Sequence, residues 1–288
     1  MQTIQAVAGS PERLDTIIER LKQQSLGLQK QRDDLLEAAG LLEIYRDDGH
    51  VCKRCEDTGY IGSTKCECFQ KLLREAAFDA LGASHPQDCR FSNFSLDYYS
   101  PQPLANGVVP RQRMAQVKNF CSDYARDFFV ERHSFSKAQS SPSLLFLGNT
   151  GLGKTHLSLA IAGQVINKGY GVIYGSAQNL LAKLEKEKFS FNNTEDQPQS
   201  YLSLVLECDL LILDDLGTEF LSQFVTAMLY NIINTRLLEG RPTIISTNLS
   251  FQEISKRYTD RLTSRLFGGY MHFEFLGRDI RIQSKIMG

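Results

Sequence analysis

The sequence predicts an α/β protein in which helices cover a parallel sheet, preceded by a small helical segment that contains cysteines. Three observations support this prediction. Short apolar runs alternate with helical patterns over the C-terminal half of the chain. A glycine-rich loop joins one of these runs to a helical pattern, and four of the seven cysteines fall within residues 52–68. We therefore expect one large α/β domain and a second, much smaller one.

The composition is that of an ordinary globular protein. Of the 288 residues, 42% are hydrophobic and 23% are charged, and the formal net charge is −1. These values argue against a globally basic nucleic-acid-binding protein, but they leave room for a local basic patch. The sequence shows neither a signal-peptide pattern nor an apolar run long enough to span a membrane. We therefore expect a cytoplasmic protein with reduced thiols and no membrane partner.

The secondary structure follows from the hydrophobic pattern. Ser10-Pro11-Glu12 predicts the start of a first helix, and a second helical pattern ends at Gly40. Helical patterns also separate the apolar runs of the C-terminal half, which is typical of parallel strands joined by helical crossovers. The polar residues 189–200 predict a surface loop. The predicted strands are Leu144–Leu147, Val172–Tyr174, Leu210–Leu213 and Thr243–Ser246.

A change in composition predicts the domain boundary. Residues 82–110 are rich in Gly, Ser, Pro and Asn, which is typical of a linker, and a helical pattern from about Phe69 to Leu81 precedes them. We predict three parts. A small helical domain with the clustered cysteines covers residues 1–88, a linker and the start of the next domain cover 89–110, and the α/β domain covers 111–288.

The glycine-rich loop has the pattern of a phosphate-binding loop. GNTGLGKT, residues 148–155, matches G-x-x-x-x-G-K-[ST] and lies between the strand-like SLLFL and the helical HLSLAIAGQVI. Backbone N–H groups of such a loop surround phosphates at the positive end of a helix dipole. We predict that Lys154 contacts the β and γ phosphates of ATP and that the Thr155 hydroxyl binds Mg²⁺. The other predicted nucleotide contacts are Gly148, Asn149, Thr150, Gly151, Leu152, Gly153 and His156.

Two acids end another apolar run, in DLLILDDLGTEF. We predict that Asp214 holds Mg²⁺ through water and that Asp215 orients or deprotonates the water that attacks ATP. Hydrolysis of this kind depends mainly on positioning and electrostatics. Because Asp215 is shorter than the glutamate that could serve as a base, a nucleotide-dependent scaffold that hydrolyses little ATP is one alternative.

The clustered cysteines have the spacing Cys52-x2-Cys55-x10-Cys66-x-Cys68. Four thiolates can complete a tetrahedral Zn²⁺ site, and clustered cytosolic thiols are more often metal ligands than disulfides. Because the protein would fill all four positions, we predict a structural rather than a catalytic zinc. Disulfides and separate reduced thiols are the alternatives. His50 and His85 flank the cluster and are substitute ligand candidates.

The chain resembles the AAA+ ATPases of the DnaC/DnaI helicase-loader group and, more distantly, the IstB-type transposition ATPases. The resemblance implies an AAA+ P-loop domain of three layers, preceded by a zinc-binding domain that contacts the replicative helicase. The segments that carry it stand in the family's order: CEDTGYI, FSNFSLDYYS, GNTGLGKT, LLILDDLGTE, RPTIISTNLS, RLTSRLF and GRDIR.

The resemblance also assigns roles to single residues. It implies that Asn248 contacts the γ-phosphate or the attacking water and that Arg281 occupies the sensor-two position. It further implies that Arg265, or as second choice Arg261, reaches the nucleotide of a neighbouring subunit. An arginine that acts across an interface implies ATP-dependent self-association.

The function implied by the resemblance is ATP-dependent loading of the hexameric replicative DNA helicase onto single-stranded DNA, with initiator or primosome proteins as further partners. The alternative is an IstB-like ATPase that coats DNA and regulates a transposase. Candidate DNA contacts are Lys183, Lys186, Lys188 and Phe189, because lysines neutralise phosphates and an aromatic ring stacks on bases. Interleaved glutamates fit a solvated helix face instead.

Overall fold

The computed structural model describes residues 23, 27–28, 30–40, 51–62, 64–69, 71–72, 89–130, 140–190 and 200–287. It divides the chain into two compact units, Met1–Phe69 and Gln70–Gly288. The predicted first helix, most of the predicted helix from Phe69 to Leu81, His50, His85 and loop residues 191–199 lie outside the described residues. The domain bounds 1–88, 89–110 and 111–288 stay predictions.

The first unit contains a helical segment and a small hairpin. Residues 31–38 are helical, and Gly40 follows with φ +68, in agreement with the predicted glycine cap. The hairpin pairs β1, Tyr60–Ile61, with antiparallel β2, Thr64–Lys65. Two of the clustered cysteines precede this hairpin and two follow it.

The second unit is built on a five-stranded sheet. Its strands are β3 Ser143–Leu147, β4 Val172–Ser176, β5 Leu210–Leu216, β6 Thr243–Thr247 and β7 Tyr270–Glu274. All neighbouring strands are parallel, in the order β4-β5-β6-β3-β7. The first four contain the predicted apolar runs. The sequence does not predict β7, because Met271, His272 and Glu274 are exposed on this edge strand and it has no continuous apolar run.

Helices cover both faces of the sheet. Because successive strand residues point to opposite faces, Leu144 and Phe146 pack in one core cluster, while Leu145 packs in another. The first cluster includes residues of α1 and α2, and the second includes residues of α3, α5 and α7. This arrangement confirms the predicted three-layer fold. The helices are α1 Pro110–Arg126, α2 Lys154–Asn167, α3 Ala177–Ser190, α4 Tyr201–Glu207, α5 Gln223–Leu238, α6 Phe251–Arg257, α7 Asp260–Gly269 and α8 Ile280–Met287. In the described part of the chain, no helix has the length and apolar character needed to cross a bilayer.

Hydroxyl caps define where several helices begin. The side chains of Ser200, Ser222, Ser250 and Thr259 each accept a hydrogen bond from a backbone N–H in the first turn of α4, α5, α6 and α7. Such a cap supplies a partner to a donor that the helix itself leaves unpaired. Ser250 also forms a reciprocal capping box with Glu253.

The stretch predicted as a linker packs closely on the glycine-rich loop. Phe94 and Tyr99 are 5% and 1% exposed and belong to the first core cluster. The Tyr99 hydroxyl donates to the Leu152 carbonyl oxygen at 2.9 Å. These buried aromatic side chains explain why residues 89–109 are ordered against the α/β unit despite their polar, proline-rich composition.

A fully buried arginine joins the ends of three elements. Arg236, near the end of α5, is 0% exposed and donates to Thr243 Oγ1 and to the carbonyl oxygens of four residues. Burial lowers its pKa. The guanidinium thereby supplies donors to the carbonyl groups at the end of α4, and it is a second donor to the Pro242 carbonyl oxygen, which also accepts from the Leu211 N–H at 3.3 Å. The four carbonyl groups are those of Val205, Leu206, Cys208 and Pro242.

Arg236→Ala should lower the free energy of unfolding by about 3–5 kcal/mol, because buried carbonyl oxygens that lose their donors cost about 1–3 kcal/mol each. Urea denaturation of the full-length protein measures the change. Arg126→Ala is the control, since Arg126 is 66% exposed in its ion pairs with Asp123 and Asp127 and such pairs contribute less than about 1 kcal/mol. Equal losses in the two variants would contradict the role given to Arg236.

Candidate nucleotide site and metal centre

The glycine-rich loop connects β3 to α2, and close packing explains its glycines. Gly151 and Gly153 have φ +75 and +85, values that other residues rarely adopt. A Cβ atom at Gly151 would overlap the Asp279 carboxylate, and one at Gly153 would lie 2.7 Å from the Phe94 ring. Lys154 then begins α2, so the loop leads directly into a helix N-terminus, where anions bind favourably.

The predicted phosphate-binding lysine is enclosed by oxygen atoms. Lys154 is 5% exposed, and its Nζ donates to the carbonyl oxygens of Gly148 at 2.6 Å and Asn149 at 2.8 Å. It also donates to Asn248 Oδ1 at 2.6 Å, which joins the loop to the end of β6. Burial lowers the pKa of Lys154, and the two acids described next oppose this effect. A phosphate group could take the place of these acceptors.

The first acid of the pair lies in a network of hydroxyl groups. Asp214 is 4% exposed, and its Oδ2 accepts from Thr155 Oγ1 at 2.8 Å and from the Tyr174 hydroxyl at 2.9 Å. Its Oδ1 accepts from Ser246 Oγ. The structure thus brings together Thr155 and Asp214, the two predicted Mg²⁺-binding side chains. A carboxylate beside a hydroxyl is a donor set that fits Mg²⁺ when phosphate oxygens complete the coordination.

The second acid is held in an unusual backbone conformation. Asp215 has φ +54, which costs on the order of 1 kcal/mol for a residue other than glycine. Its backbone N–H donates to Ser246 Oγ at 3.0 Å, and its Oδ1 lies 3.5 Å from Asn248 Nδ2. Burial, followed by the charge of Asp214, raises the pKa of Asp215. A raised pKa suits a group that takes a proton from water.

Lys154, Thr155, Asp215 and Asn248 line a cavity of 330 Å³ on one side of the glycine-rich loop, and Asp214 lies behind its wall in contact with Thr155. Arg281, at the start of α8, is exposed and lines the same cavity. Its positive charge adds to the effect of burial in lowering the pKa of Lys154, and it opposes the rise that burial and Asp214 cause in the pKa of Asp215. A second cavity of 1160 Å³ adjoins Gly148 and Asn149.

The cavity wall also contains residues to which the sequence assigned no role. Phe94 and His156 have ring centroids 5.5 Å apart, and His156 Nε2 lies 2.8 Å from the Arg90 carbonyl oxygen. Phe94, His156 and Tyr98 give the cavity an aromatic wall, in addition to the charged groups of Lys154, Asp215 and Arg281. The sequence feature that could have indicated these contacts is the segment FSNFSLDYYS, residues 91–100. It is part of the family resemblance, but the resemblance assigns it no contact with the nucleotide. The unassigned wall residues are Cys89, Asn93, Phe94, Ser95, Tyr98 and Ile280.

The two candidate trans-acting arginines lie elsewhere. Arg261 and Arg265 are exposed on α7, and neither is among the described residues that line the two cavities. The same helix buries Leu262 and Leu266 against the core. This placement leaves both arginines facing solvent and accessible to another molecule.

The four clustered cysteines converge in the first unit. Their Sγ atoms all lie within 4.8 Å of one another, and the Cys52–Cys66 and Cys55–Cys68 pairs are 3.7 Å and 3.3 Å apart. Sulfur atoms around a tetrahedral Zn²⁺, with Zn–S bonds of about 2.3 Å, lie roughly 3.8 Å from each other. Backbone N–H groups of Cys55 and Arg54 lower the pKa of Cys52 to about 6, whereas the hydrogen bond with Cys55 raises the pKa of Cys68 to about 12. In the absence of a metal the four sulfur atoms thus share protons, which a bound cation would displace. The donor set fits Zn²⁺.

A carboxylate supports the loop that presents the first two cysteines. Asp57 accepts hydrogen bonds from the backbone N–H groups of Val51 at 3.0 Å and Cys52 at 2.9 Å. Asp57 has φ +58, so the chain turns sharply here. The Cys66 N–H donates to the Gly59 carbonyl oxygen at 2.8 Å, which brings the second pair of cysteines back to the first.

Fold and site together define an AAA+-like P-loop protein. The model of the family "IstB-like ATP binding protein" matches residues 120–273, more than half of the chain, and the chain therefore belongs to this family of ATP-binding proteins. The match confirms the resemblance that the sequence motifs indicated.

Individual relatives cover part of the chain. The replicative helicase loader DnaC of Escherichia coli K12 is 27% identical over 124 residues, which is 43% of this chain and 49% of that protein. The ATP-binding protein of insertion sequence IS5376 from Geobacillus stearothermophilus is 28% identical over 148 residues, 50% of this chain and 57% of that protein. The chain thus spans about half the length of the curated relatives it matches. Domain III of the Thermotoga maritima replication initiation protein DnaA aligns with a TM-score of 0.50 at 21% identity, covers 69% of this chain and 71% of that chain, and supports the fold.

Proposed function

We propose that the protein is an ATPase that binds the hexameric replicative DNA helicase and helps to deposit it on single-stranded DNA during initiation or restart of replication. The observation that carries the proposal is that one chain combines an ATP-binding family domain with four cysteines whose Sγ atoms lie within 4.8 Å of one another. Similarity to the E. coli loader DnaC supports the same reading. In this proposal the N-terminal module contacts the helicase, and the protein works in the cytoplasm.

The site residues have matching roles in the proposed reaction. Lys154 transfers its hydrogen bonds from loop carbonyl groups and Asn248 to phosphate oxygens. Thr155 and Asp214 would hold Mg²⁺, which neutralises phosphate charge when bound. Asp215, oriented through its backbone and by Asn248, accepts the proton of the attacking water.

Arginines complete the proposed site. Arg281 contacts the nucleotide from within the chain, and Arg265, or Arg261, reaches a neighbouring subunit's nucleotide. The charge that develops in the transition state is then compensated only in an assembly, so ATP promotes self-association.

Single-stranded DNA is the proposed nucleic-acid partner, with the lysines of α3 as candidate contacts. Lys183 Nζ lies 3.9 Å from the Tyr201 ring centroid and Lys188 Nζ lies 4.7 Å from that of Phe224. These cation–π contacts keep the ammonium groups against the rings. In the proposal, DNA phosphates replace the rings as partners of the lysines, and the ring faces that are freed stack on bases. The Phe189 side chain lies outside the described residues. Initiator or primosome proteins are further proposed partners.

Light-scattering mass after size exclusion tests the helicase proposal. The full-length protein is mixed with the replicative helicase of its host, with and without ATP, and a Lys154→Ala variant is run in parallel. We expect a stable complex with the helicase whose stoichiometry depends on ATP in the wild type only. Absence of a complex in every nucleotide state would overturn the proposal.

The second candidate is an ATPase that coats duplex DNA and regulates a transposase. It is favoured by the family match and by the relative from insertion sequence IS5376. Electron microscopy of the protein with ATP and duplex DNA tests it, because ATP-dependent filaments without helicase binding are the outcome that distinguishes it from the loader.

Asp215→Asn should raise the melting temperature at pH 7.5 while it lowers ATP turnover by about 100-fold or more, the usual contribution of a general base. The folded state raises the carboxyl pKa above 3.8, so ionisation of Asp215 costs stability as pH rises through the folded-state pKa. Asparagine avoids this cost. The increase in melting temperature over the wild type should disappear below about pH 4, where the wild-type carboxyl group is also neutral. Thermal melts from about pH 3 to pH 8 measure the stability, and a phosphate-release assay measures the turnover.

Asp127→Asn is the matched control for that experiment. Arg126 lowers the pKa of exposed Asp127, so removal of this charge should give no stabilisation at neutral pH. A lower melting temperature of Asp215→Asn at pH 7.5, or unchanged turnover, would contradict the role given to Asp215.

A further inference from the structure

A buried acid lies close to the site and has no role in the reaction proposed above. Glu219 is 2% exposed and follows Asp215 by four positions, in the loop between β5 and α5. An acid that is removed from water needs donors and positive charge around it, because burial of an unpaired carboxylate is costly. The groups that meet this need show what Glu219 connects.

One set of contacts ties Glu219 to the loop that begins at Asp215. Glu219 Oε2 accepts from the Gly217 backbone N–H at 2.8 Å. Thr218 donates to the Asp215 carbonyl oxygen from its backbone N–H at 3.3 Å and from its hydroxyl at 2.8 Å. Residues 215–219 therefore form a compact turn with the candidate base at one end and Glu219 at the other.

The other set of contacts ties Glu219 to the junction of α6 and α7. Its Oε1 accepts from the Tyr258 hydroxyl, and Arg257 Nε lies 3.7 Å from the same atom. Arg257 Nη2 also donates to the Glu219 carbonyl oxygen. Arg257 ends α6, Tyr258 caps it, and Thr259 caps the start of α7. One acid thus holds the last residue of α6, Arg257, and the first of the two residues that connect the helices, Tyr258.

The helix held in this way is the one that carries the exposed arginines. Leu262 and Leu266 bury one face of α7 in the apolar cluster that also contains Leu213 and Leu216 of β5, which fixes the rotation of the helix. The hydrogen bonds of Glu219 add a polar link, from the Asp215 turn to Tyr258, the residue before the α7 cap. Movement of the turn would therefore be transmitted to the first turn of the helix.

We propose that Glu219 is a positioning residue that fixes α7, and with it Arg261 and Arg265, relative to the turn that carries Asp215. The statement about Arg261 and Arg265 rests on the proposed ATPase function, because an arginine acts on a neighbouring subunit's nucleotide only in an assembly. The position of the arginine that reaches a neighbouring subunit then depends on the nucleotide site of the subunit to which the arginine belongs. The coupling passes through the Glu219 carboxylate, the Tyr258 hydroxyl and the Arg257 guanidinium.

Two conservative variants of the full-length protein test the proposal. Glu219→Gln keeps the shape and removes the charge, and Tyr258→Phe removes one hydroxyl with the ring retained, so at least the milder variant should fold. Glu239→Gln is the control, since Glu239 is an exposed acid paired with Arg241. Hydrogen–deuterium exchange compares peptides of α7 with peptides of α2, and ATP turnover is measured alone and in combination with Arg265→Ala.

We expect faster exchange in α7 in both variants, with α2 unchanged and the control identical to wild type. The maximal turnover rate should fall about 10- to 100-fold, the cost of misplacing a catalytic group by about 1 Å, with the KM for ATP unchanged. Arg265→Ala should add no further loss, because Glu219 acts through that arginine.

Unchanged exchange in α7, losses that add to those of Arg265→Ala, or a KM that rises together with reduced thermal stability would each overturn the proposal. A wild-type protein without ATP turnover would instead overturn the proposed ATPase function. In that case the exchange measurement still decides whether Glu219 fixes α7.

Discussion

Replacement of Lys154 by alanine should weaken ATP binding by about 10- to 100-fold, because a hydrogen bond to a charged group contributes about 1.5–3 kcal/mol. In the structure its Nζ already lies among the carbonyl oxygens of Gly148 and Asn149 and the side chain of Asn248. These acceptors hold the ammonium group at the mouth of the loop, where phosphate oxygens can take their place as its hydrogen-bond partners. Titration with a fluorescent ATP analogue measures the change.

Lys168→Ala is the matched control, since it lies at the opposite end of the same helix. Lys168 Nζ also donates to two carbonyl oxygens, those of Arg126 at 2.6 Å and Phe128 at 3.0 Å. We expect this variant to lose some thermal stability and to keep its ATP affinity. If Lys154→Ala binds ATP as tightly as Lys168→Ala, the phosphate-binding role of the glycine-rich loop is wrong.

The parts of the site that the sequence predicted are those encoded by short local patterns. GNTGLGKT fixes the order of loop, lysine and hydroxyl within eight residues, and DLLILDD places both acids at the end of an apolar strand. The parallel sheet then brings these two segments together, because the carboxyl ends of its strands all lie on the same side of the sheet. Contact between Thr155 and Asp214 follows from that geometry.

The parts that the sequence did not predict depend on strand order and on burial of polar groups. Tyr174 and Ser246 contact Asp214 only because β4 and β6 flank β5, which no local pattern specifies. Arg236 and Glu219 are charged residues inside the protein, and a hydropathy pattern places such residues on the surface. Their roles appear only when the backbone groups around them are known.

The cysteine module illustrates why a metal can be predicted without a hydrophobic core. Among the described residues 51–62 and 64–69, those classed as buried are Cys55, Gly59 and Cys66. Val51, Tyr60 and Ile61 are instead 96%, 46% and 45% exposed. Apolar burial among these described residues is therefore small, which is why we expect metal coordination to stabilise the segment.

The protein purified without chelator should contain one Zn²⁺ per chain, and its removal should unfold residues 51–69 while the α/β unit keeps its melting temperature. Zinc binding contributes about 10–16 kcal/mol in small zinc modules, and this energy is folding energy because the site does not exist in the unfolded chain. Acidification should release the metal, since protons compete for the four thiolates. Elemental analysis and limited proteolysis with and without a chelator measure both effects.

Cys66→Ser and Cys121→Ala separate a metal ligand from an ordinary buried thiol. Both cysteines are almost fully buried, but Cys66 lies in the cluster, whereas Cys121 packs in the core of the α/β unit, where burial raises its pKa to about 12. We expect Cys66→Ser to lose zinc and to be cleaved within residues 51–69, and Cys121→Ala to retain zinc at some cost in stability. A protein without zinc, in which mass spectrometry finds the cluster joined by disulfides, would replace the metal with the alternative that the spacing leaves open.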